Sequence, residues 1–397
     1  MKREGLLLTL TYLFTGSILY AQIPGMKVYG ESEGYPATIG YIINQDSTGF
    51  IWIGSNKGAI RYDGHSFRVF DERDGLHDKE VIQAVPGLQN TVLIAPLVNN
   101  LSYYKNGKIF NENSAPPLSH INNTGKNIVL TDYATGNCWV GDNTNTKGIY
   151  CFKGTNPEWV EIPLEGKFEI VAAHNNCLVI REGNIFKLFS REKGMVEPFI
   201  IRGNPEFFNN SLLAFTRDHR YVVGYSRKHQ KIGVYRMTDP AHLEFIASAP
   251  ASEVPKQMII DRNNQLWVTF RDEGVHFWGA VPSITPHTRP ITMLSKTVIN
   301  HVFTDRNNNL WFTTKRKGLY FIPASQWINH LHLKKTGVPN HIPIVISGDT
   351  QGNVYIGYEG HNALGIIERD SYKEIPLTGE GFEGLKGLLW HKEKLYA

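Results

Sequence analysis

The chain has 397 residues, enough for one large domain or for one domain and part of another. Its 41 basic and 37 acidic residues leave a net charge of +4, which is too small to indicate a nucleic-acid-binding protein. Three cysteines exclude a disulfide-rich scaffold, whereas 37 glycines and 12% aromatic residues indicate a turn-rich β protein.

Residues 1–21 are typical of a secretory signal peptide. Lys2 and Arg3 provide a basic start, and residues 5–19 form a largely apolar stretch that is too short for a comfortable membrane span. Leu19 is a weaker residue than alanine three positions before the expected cleavage site, so an uncleaved anchor is the alternative. No cysteine lies near that site, which argues against a lipoprotein. We therefore expect an exported, periplasmic protein.

One motif recurs along the chain from residue 42 onward. An aspartate is followed by a short turn ending in Gly or Asn, by an apolar strand centred on an aromatic residue, and by a Gly-aliphatic strand. The aspartate is expected to bond the backbone two residues on, and the Gly or Asn to be left-handed. The turn residues are Asp46, Gly49, Asp132, Asp261, Asp305, Asp349 and Gly352, and the aromatic anchors are Trp52, Trp139, Trp267, Trp311 and Tyr355.

Weaker copies centred on Leu93, Val179 and Val222 fill the gaps, so that successive anchors lie 40–46 residues apart. This period, with four strands per unit, predicts an all-β fold, a β-propeller of four-stranded blades. Because the tryptophans recur once per blade, they are interpreted as core residues rather than as a sugar-stacking platform.

The two ends of the chain bear on the domain organisation. Residues 26–35 parallel residues 67–76, an outer strand and the loop after it, so the first strand is expected to complete the last blade and close the ring. Counting from Trp52, the seventh unit is centred on Trp311, which predicts a seven-bladed propeller over residues 22–338. Residues 339–397 would be the first blades of a second propeller. Their last hairpin stops in mid-sheet, so we expect a truncated piece of a longer protein or, alternatively, an end that pairs with a partner.

Cys138 and Cys151 could face each other across a hairpin. Two small buried hydrophobic residues are the favoured interpretation, and a disulfide is the alternative.

The loops between the second and third strands share a face with the blade-to-blade loops, and they are rich in basic residues. Such a face could attract an anionic glycan or another acidic partner, although ordinary solvated turns are the alternative and the acidic run 71–74 weakens the case. Trp278 and Trp327 break the aromatic register and could stack on sugar rings. The basic candidates are Lys57, Lys147, Arg227, Lys228, His229, Arg271, Lys315, Arg316 and Lys317.

No cofactor or metal site is predicted. The runs 261–264 and 305–308 lack the trailing acidic ligand of a calcium loop, and the 15 histidines show no metal-ligand spacing. The sequence contains no Gly-x-Ser-x-Gly nucleophile elbow.

The segment Asp46-x-x-Gly49-x-Ile51-Trp52-Ile53-Gly54, followed by Tyr62-Asp63-Gly64 and Asp74-Gly75-Leu76, resembles the two-component regulator propeller repeat. This repeat forms the extracytoplasmic sensor region of histidine kinases and hybrid two-component systems in Bacteroidetes-type bacteria. The resemblance covers nearly all of residues 26–397 and is strongest in units one, six and seven. Family members usually carry two seven-bladed propellers, an immunoglobulin-like domain, a membrane span and a kinase, of which this chain has the first propeller and the start of the second.

The resemblance implies a non-enzymatic sensor that binds an oligosaccharide or another small ligand, as a monomer or a homodimer. It would contact the membrane only through parts beyond this chain or through an uncleaved signal. Two alternatives are an exported propeller enzyme, such as a lyase acting on a polysaccharide or a cyclic ester, and a secreted adhesion or scaffold module. His and carboxylate groups converging at one opening would favour the enzyme, and a bare, aromatic-rimmed face would favour the sensor.

Overall fold

The structure is a computed structural model, in which two compact units are distinguished. One unit spans Lys27–Ala324, and the other includes the residues described after Ala324. The predicted signal peptide, the predicted boundary at 338 and Trp327 lie outside the described residues. The described residues are 26–98, 100–119, 121, 128–141, 147–208, 212–251, 254–271, 274–325, 343–349, 351–358, 361–368, 371–377, 388–391 and 394–396.

The Lys27–Ala324 unit is a β-propeller. Within its described residues, seven antiparallel sheets follow one another along the chain, and we call them blades 1 to 7. In blades 1 to 6 four consecutive strands pair in sequence order from the innermost strand outward. The strands of blades 1 to 3 are β2 (Gly40–Gln45), β3 (Ile51–Ser55), β4 (Gly58–Tyr62), β5 (Phe67–Phe70); β6 (Val81–Pro86), β7 (Val92–Pro96), β8 (Ser102–Lys105), β9 (Lys108–Phe110); β10 (Ile128–Thr131), β11 (Cys138–Gly141), β12 (Gly148–Lys153) and β13 (Asn156–Glu161).

Blades 4 to 6 follow the same plan, with one addition in blade 5. Strand β18 (Ile200–Arg202), which the sequence analysis missed, pairs in parallel with the outermost strand of blade 5 and covers its edge. The other strands are β14 (Glu169–His174), β15 (Cys177–Glu182), β16 (Ile185–Ser190), β17 (Met195–Pro198); β19 (Leu212–Phe215), β20 (Tyr221–Ser226), β21 (Lys231–Asp239), β22 (His242–Pro250); β23 (Gln257–Ile260), β24 (Gln265–Thr269), β25 (Val275–Ala280) and β26 (Ile291–Met293).

Blade 7 closes the ring. It consists of β27 (Ile299–Thr304), β28 (Leu310–Thr314) and β29 (Leu319–Ile322), with β1 (Lys27–Tyr29) as its outermost strand. β1 runs antiparallel to β29, with Val28 opposite Tyr320. Neighbouring innermost strands are in contact around the ring, and β27 of blade 7 contacts β2 of blade 1. β1, which precedes blade 1 in the chain, therefore covers the edge of blade 7 that would otherwise be open.

The remaining elements are short. A helical turn, α1 (Pro116–Ser119), follows blade 2, and 3₁₀ turns lie at Glu72–Asp74, Leu88–Asn90, Pro205–Phe207 and Val281–Ser283. The second unit contains a four-stranded sheet and a hairpin. Their strands are β30 (Pro343–Gly348), β31 (Val354–Tyr358), β32 (His361–Glu368), β33 (Ser371–Pro376), β34 (Leu389–His391) and β35 (Lys394–Tyr396).

The repeated aspartate joins the turn to the core of its blade. In blade 1, Oδ1 of Asp46 accepts the backbone N–H groups of Thr48, Gly49 and Phe50, and Oδ2 accepts Nε1–H of the fully buried Trp52 at 2.7 Å. The carboxylate thus satisfies the turn and the indole together, which a buried indole requires.

The same aspartate-to-tryptophan bond recurs wherever the two residues are six positions apart. Asp261 accepts from Trp267 at 3.0 Å, and Asp305 accepts from Trp311 at 2.9 Å. In the second unit the hydroxyl of Tyr355 donates to Asp349 at 3.0 Å. One aromatic can therefore replace another, provided that it carries a donor.

Blade 3 departs from this pattern because Asp132 and Trp139 are seven positions apart. Asp132 instead accepts the backbone N–H groups of Asn175 and Asn176 in blade 4. Burial alone would raise the pKa of Asp132, but these N–H groups outweigh it and hold the pKa below its usual value. Trp139 Nε1 is buried without a hydrogen-bond partner within the described residues. One extra residue therefore converts a bond within a blade into a bond between blades.

Adjacent blades pack closely and exchange hydrogen bonds between their inner strands. A Cβ on Gly54 of β3 would lie 2.5 Å from the carbonyl oxygen of Ile82 in blade 2, so only glycine fits there. The side chain of Gln83 pairs with both backbone groups of Val129 in blade 3, and Asn300 of blade 7 donates to the carbonyl of Gly40 in blade 1.

The cysteines are unbonded thiols. Cys138 and Cys151 are buried on neighbouring strands, where Cys138 lies opposite Phe152 and Cys151 lies opposite Trp139. Burial raises the pKa of Cys138 to about 12, so this thiol stays protonated and packs as a small hydrophobic side chain.

Replacing Trp52 with Phe should destabilise the protein by about 2 kcal/mol more than replacing Trp139 with Phe, because only Trp52 donates to a buried carboxylate. Both changes remove a similar volume from a fully buried site, so the difference isolates the hydrogen bond. Chemical denaturation of the two variants measures it, and equal losses would contradict the role given to Asp46.

Replacing Tyr29 with Ala should cost about 3–5 kcal/mol, because Tyr29 is the buried residue of the closing strand and stacks on Trp311. The matched control is Val28→Ala on the same strand, at a side chain that is 39% exposed, and it should cost under about 1 kcal/mol. Denaturant midpoints of both variants provide the test. Equal midpoints would show that ring closure contributes little to stability.

Candidate functional site

The ring has two faces, which differ in the connections that they carry. The loop face carries the blade-to-blade connections and the loops between second and third strands, and the turn face carries the turns between first and second strands. On the loop face Ile39, from the connection into blade 1, bridges to Lys315 in the loop between β28 and β29. The two kinds of loop therefore share one face, as the sequence analysis expected.

A cavity of about 880 Å³ opens on the loop face between blades 6, 7 and 1, and we call it the blade 6–1 cavity. Three cationic side chains line it, one from the start of blade 6 and two from loops between second and third strands. Its lining residues are Ile39, Tyr41, Val254, Pro255, Lys256, Arg271, Val298, Asn300 and Lys315.

Lys256 is held in place at the wall of this cavity. Its Nζ donates to Oδ1 of Asn300 at 2.6 Å and to the carbonyl of Ile299 at 3.3 Å. Burial lowers the pKa of Lys256, and the charge of Lys315 lowers it further. A bound anion would relieve both effects, so this wall is suited to a negatively charged ligand.

A second cavity, of about 710 Å³, lies on the same face between blades 4, 5 and 6, and we call it the blade 4–6 cavity. Val254 lines both cavities, which makes them neighbours. Within the blade 4–6 cavity, His229 connects two other lining residues: its ring contacts Ser226 Oγ at 3.0 Å and the carboxylate of Glu206 at 3.1 Å. The lining residues are Arg181, Pro205, Glu206, Leu212, Tyr225, Ser226, Arg227, Lys228, His229 and Val254.

Five of the basic residues suggested by the sequence line these cavities, and His229, described above, is one of them. Arg227 and Lys228 line the blade 4–6 cavity, and Arg271 and Lys315 line the blade 6–1 cavity. The four other than His229 are exposed, and within the described part of the chain none of the four forms an ion pair with an acidic group. They are therefore able to contact a ligand.

The other candidates lie elsewhere. Lys317 Nζ donates to the carbonyl of Lys296 at 2.9 Å, and the backbone of Arg316 donates to the carbonyl of Thr38, so both stabilise loops. Trp278 is 4% exposed and packs in the core with Val281, which leaves its ring no open face for a sugar.

Lys256 and Tyr41 were not predicted from the sequence, because they lie at the beginning of blades and not in loops between second and third strands. The hydroxyl of Tyr41 donates to Glu80 of the connection into blade 2. Burial and this contact raise the pKa of Tyr41.

A third cavity, of about 300 Å³, is the central channel, which is walled by residues of the innermost strands. His219 and His301 line it. Burial disfavours the charged ring and lowers the pKa of each to about 4. For His219 the neighbouring ring of His174, whose centroid is 4.3 Å away, adds to the effect. Among the described residues that line the channel none is acidic, and no described group of His, Cys, Asp and Glu has the arrangement of a metal site.

Comparisons with known proteins show that solved structures share this architecture. No family model and no curated protein matches the chain. The structure is similar to the extracellular domain of a protein described as a hybrid two-component system of B. thetaiotaomicron, with a TM-score of 0.55, 16% identity, and coverage of 93% of this chain and 51% of that one. A second such domain from the same organism gives a TM-score of 0.51 and 17% identity, covering 94% and 50%.

A virginiamycin B lyase from Staphylococcus aureus is also similar, with a TM-score of 0.54 and 13% identity over 75% of this chain and 98% of that one. At these identities the likeness shows the fold, and it confirms the propeller expected from the repeat. The chain spans about half the length of the two-component domains it matches. Among the described residues no helix is long and apolar enough to span a membrane.

The channel histidines should make stability depend on pH. In the unfolded chain a histidine has a pKa of about 6.5, so below that pH the unfolded state binds protons that folded His301 and His219 do not. Stability should therefore fall as the pH drops from 6.5 toward 4, by up to about 1.4 kcal/mol per pH unit for each ring.

His301→Gln should reduce this slope by the contribution of one proton, about 1.4 kcal/mol per pH unit. The control is His65→Gln, at an exposed side chain, and it should leave the slope unchanged. Guanidinium denaturation of each variant between pH 4 and 7.5 measures the slope. An unaltered slope in His301→Gln would show that the ring is protonated in the folded channel.

Proposed function

We propose that this chain is the extracytoplasmic, ligand-sensing propeller region of a two-component signalling protein, and that it binds an anionic oligosaccharide on the loop face. The observation that carries this proposal is the pair of neighbouring cavities with cationic walls. The likeness in fold to extracellular domains described as belonging to hybrid two-component systems supports it.

The loop face combines the features that such a ligand requires. The two cavities together extend across parts of blades 4 to 7 and blade 1, which is sufficient room for several sugar units. Lys256, Arg271 and Lys315 supply charge in one cavity, and Arg227 and Lys228 supply it in the other. Guanidinium groups bind carboxylate or sulfate through paired N–H donors, while the exposed lysines also raise the association rate.

Signalling would follow from a shift in population. A ligand that fits one arrangement of sensor regions better than another favours that arrangement by the difference in its two binding free energies. Contacts in a homodimer, or parts of the protein beyond this chain, would then transmit the shift.

A propeller lyase is the second candidate, because lyase propellers share the fold and two histidines face the channel. Its support is weaker. A pKa of about 4 makes either histidine a poor general base near neutral pH, and no acidic residue lines the described channel. A secreted adhesion or scaffold module has no specific observation in its favour.

The test is calorimetric titration of the secreted chain with a panel of uronate-containing, sulfated and neutral oligosaccharides. We expect saturable binding of anionic members that weakens as ionic strength rises. In Lys256→Gln the affinity should fall about tenfold, because a contact with a partly desolvated charge is lost.

The control is Lys193→Gln, which removes the same charge from an exposed side chain of blade 4 outside both cavities, and it should bind as the wild type does. Failure of every anionic oligosaccharide to bind, or equal losses in both variants, would refute the proposed site. Shortened products detected by mass spectrometry after incubation would favour the lyase instead.

A further inference from the structure

We propose that the turn-face end of the central channel is a second binding site, one that takes a small ring compound bearing a carboxylate or sulfate. A cavity of about 240 Å³ lies there, and three arginines and a tyrosine line it. This site is independent of the proposed function, because it lies at the other end of the inner strands. In β27, Asn300 lines the blade 6–1 cavity, whereas Thr304 lines this one. We call it the arginine mouth.

The arginines come together because of the repeat. Arg262 and Arg306 each follow the turn aspartate of their blade, and Arg217 follows Thr216 at the corresponding position of blade 5. This position lies at the end of the innermost strand, where consecutive blades converge on the channel. The sequence places the three arginines about 45 residues apart, whereas the ring places them around one opening.

Two of the guanidinium groups are fixed by the neighbouring blade. Arg262 Nη1 donates to the carbonyl of Asp305 at 3.1 Å, and Arg306 Nη1 donates to the carbonyl of Ser47 at 3.0 Å. Each guanidinium has five N–H donors, so these contacts orient the group and leave further donors for a ligand. Fixed donors lose little entropy when an anion binds.

The third arginine is coupled to an aromatic ring across the channel. The guanidinium carbon of Arg217 lies 4.1 Å from the ring centroid of Tyr133. The Tyr133 side chain is large and aromatic, yet 53% of its surface is exposed to solvent. An exposed ring beside cationic groups suits a ligand that has an apolar face and a charged substituent.

The acidic groups near this mouth are occupied by other partners. The carboxylate of Asp261 accepts N–H groups of its own turn, the indole of Trp267 and the hydroxyl of Thr304. Asp218 lies beside Arg220 at 3.8 Å and accepts from Asn264. None of the described residues that line the mouth is acidic. The arginine charges are therefore not cancelled by a carboxylate that lines the cavity.

The size and chemistry of the mouth define the ligand class. A volume of 240 Å³ corresponds to about eight water molecules, which suits a single small ring rather than a chain of sugars. Guanidinium forks match the paired oxygens of carboxylate and sulfate, and the amides and hydroxyls of Asn44 and Thr131 can bond neutral ring substituents.

The experiment titrates the full chain by calorimetry at constant ionic strength, with sodium sulfate, D-glucuronate and neutral D-glucose as separate probes. We expect saturable binding of glucuronate, of sulfate, or of both, and none of glucose. Binding of only one anion identifies whether carboxylate or sulfate is the group recognised.

Arg217→Gln should weaken that binding by about tenfold or more, and Tyr133→Leu should weaken glucuronate more than sulfate, because only glucuronate has a ring to stack. Arg306 is not varied because it ties blade 7 to blade 1. The control Arg236→Gln removes the same charge from an ion pair with Glu244 on the outer strands of blade 5, and it should bind normally.

Lys256→Gln on the loop face should also leave this binding unchanged, so that failure here and failure of the proposed function are distinguishable. Absence of saturable binding by both anions would overturn the proposal. An equal loss in Arg217→Gln and Arg236→Gln would overturn it as well, because it would indicate general charge attraction rather than a site.

Discussion

The buried bond between the turn aspartate and the aromatic anchor is the interaction on which the propeller depends. A single carboxylate satisfies the N–H groups of a tight turn and the indole that fills the space between blades. A charged group is costly to bury, and here that cost is offset because the carboxylate accepts hydrogen bonds both from N–H groups of the turn and from the buried indole. One aspartate therefore stabilises both the turn and the packing of the aromatic anchor. The same bond is present in blades 1, 6 and 7 and in the second unit.

The sequence predicted this architecture well where that bond is present. A spacing of six residues between Asp46 and Trp52 is a local signal, since it depends only on one turn and one strand. In blade 3 the spacing of seven between Asp132 and Trp139 was treated as another copy, but the extra residue redirects the carboxylate toward blade 4. In blades 2, 4 and 5 aliphatic anchors such as Leu93 are buried at the same position without any polar signal. Strand β18 was missed because parallel pairing with β22 depends on the path of a connection.

Candidate site residues were only partly predictable, for a reason that is geometric. Loop position indicated that Arg271 and Lys315 share a face, but the cavity between them depends on how blades 6, 7 and 1 meet. Lys256 joins that cavity from the residue just before the innermost strand of blade 6, a position that the loop pattern in the sequence did not indicate. The arginines of the turn face were overlooked because Arg262 and Arg306 stand beside an aspartate interpreted as part of a turn. The ring brings residues of neighbouring blades close together although they are about 45 positions apart in the chain, and a short sequence motif cannot show this.

Closure by β1 also shapes how this protein reaches its native state. β1 is the first strand of the ring in the chain and pairs with β29, the last one, so this longest-range pairing of the ring cannot form until every other strand of the ring has been synthesised. Hairpins within each blade are local and can form early, but β1 stays without its partner strand until residues near Tyr320 have been synthesised. During that interval open strand edges can pair with another chain. A propeller joined in this way is therefore exposed to misassembly during synthesis to a degree that its compact folded ring does not reveal.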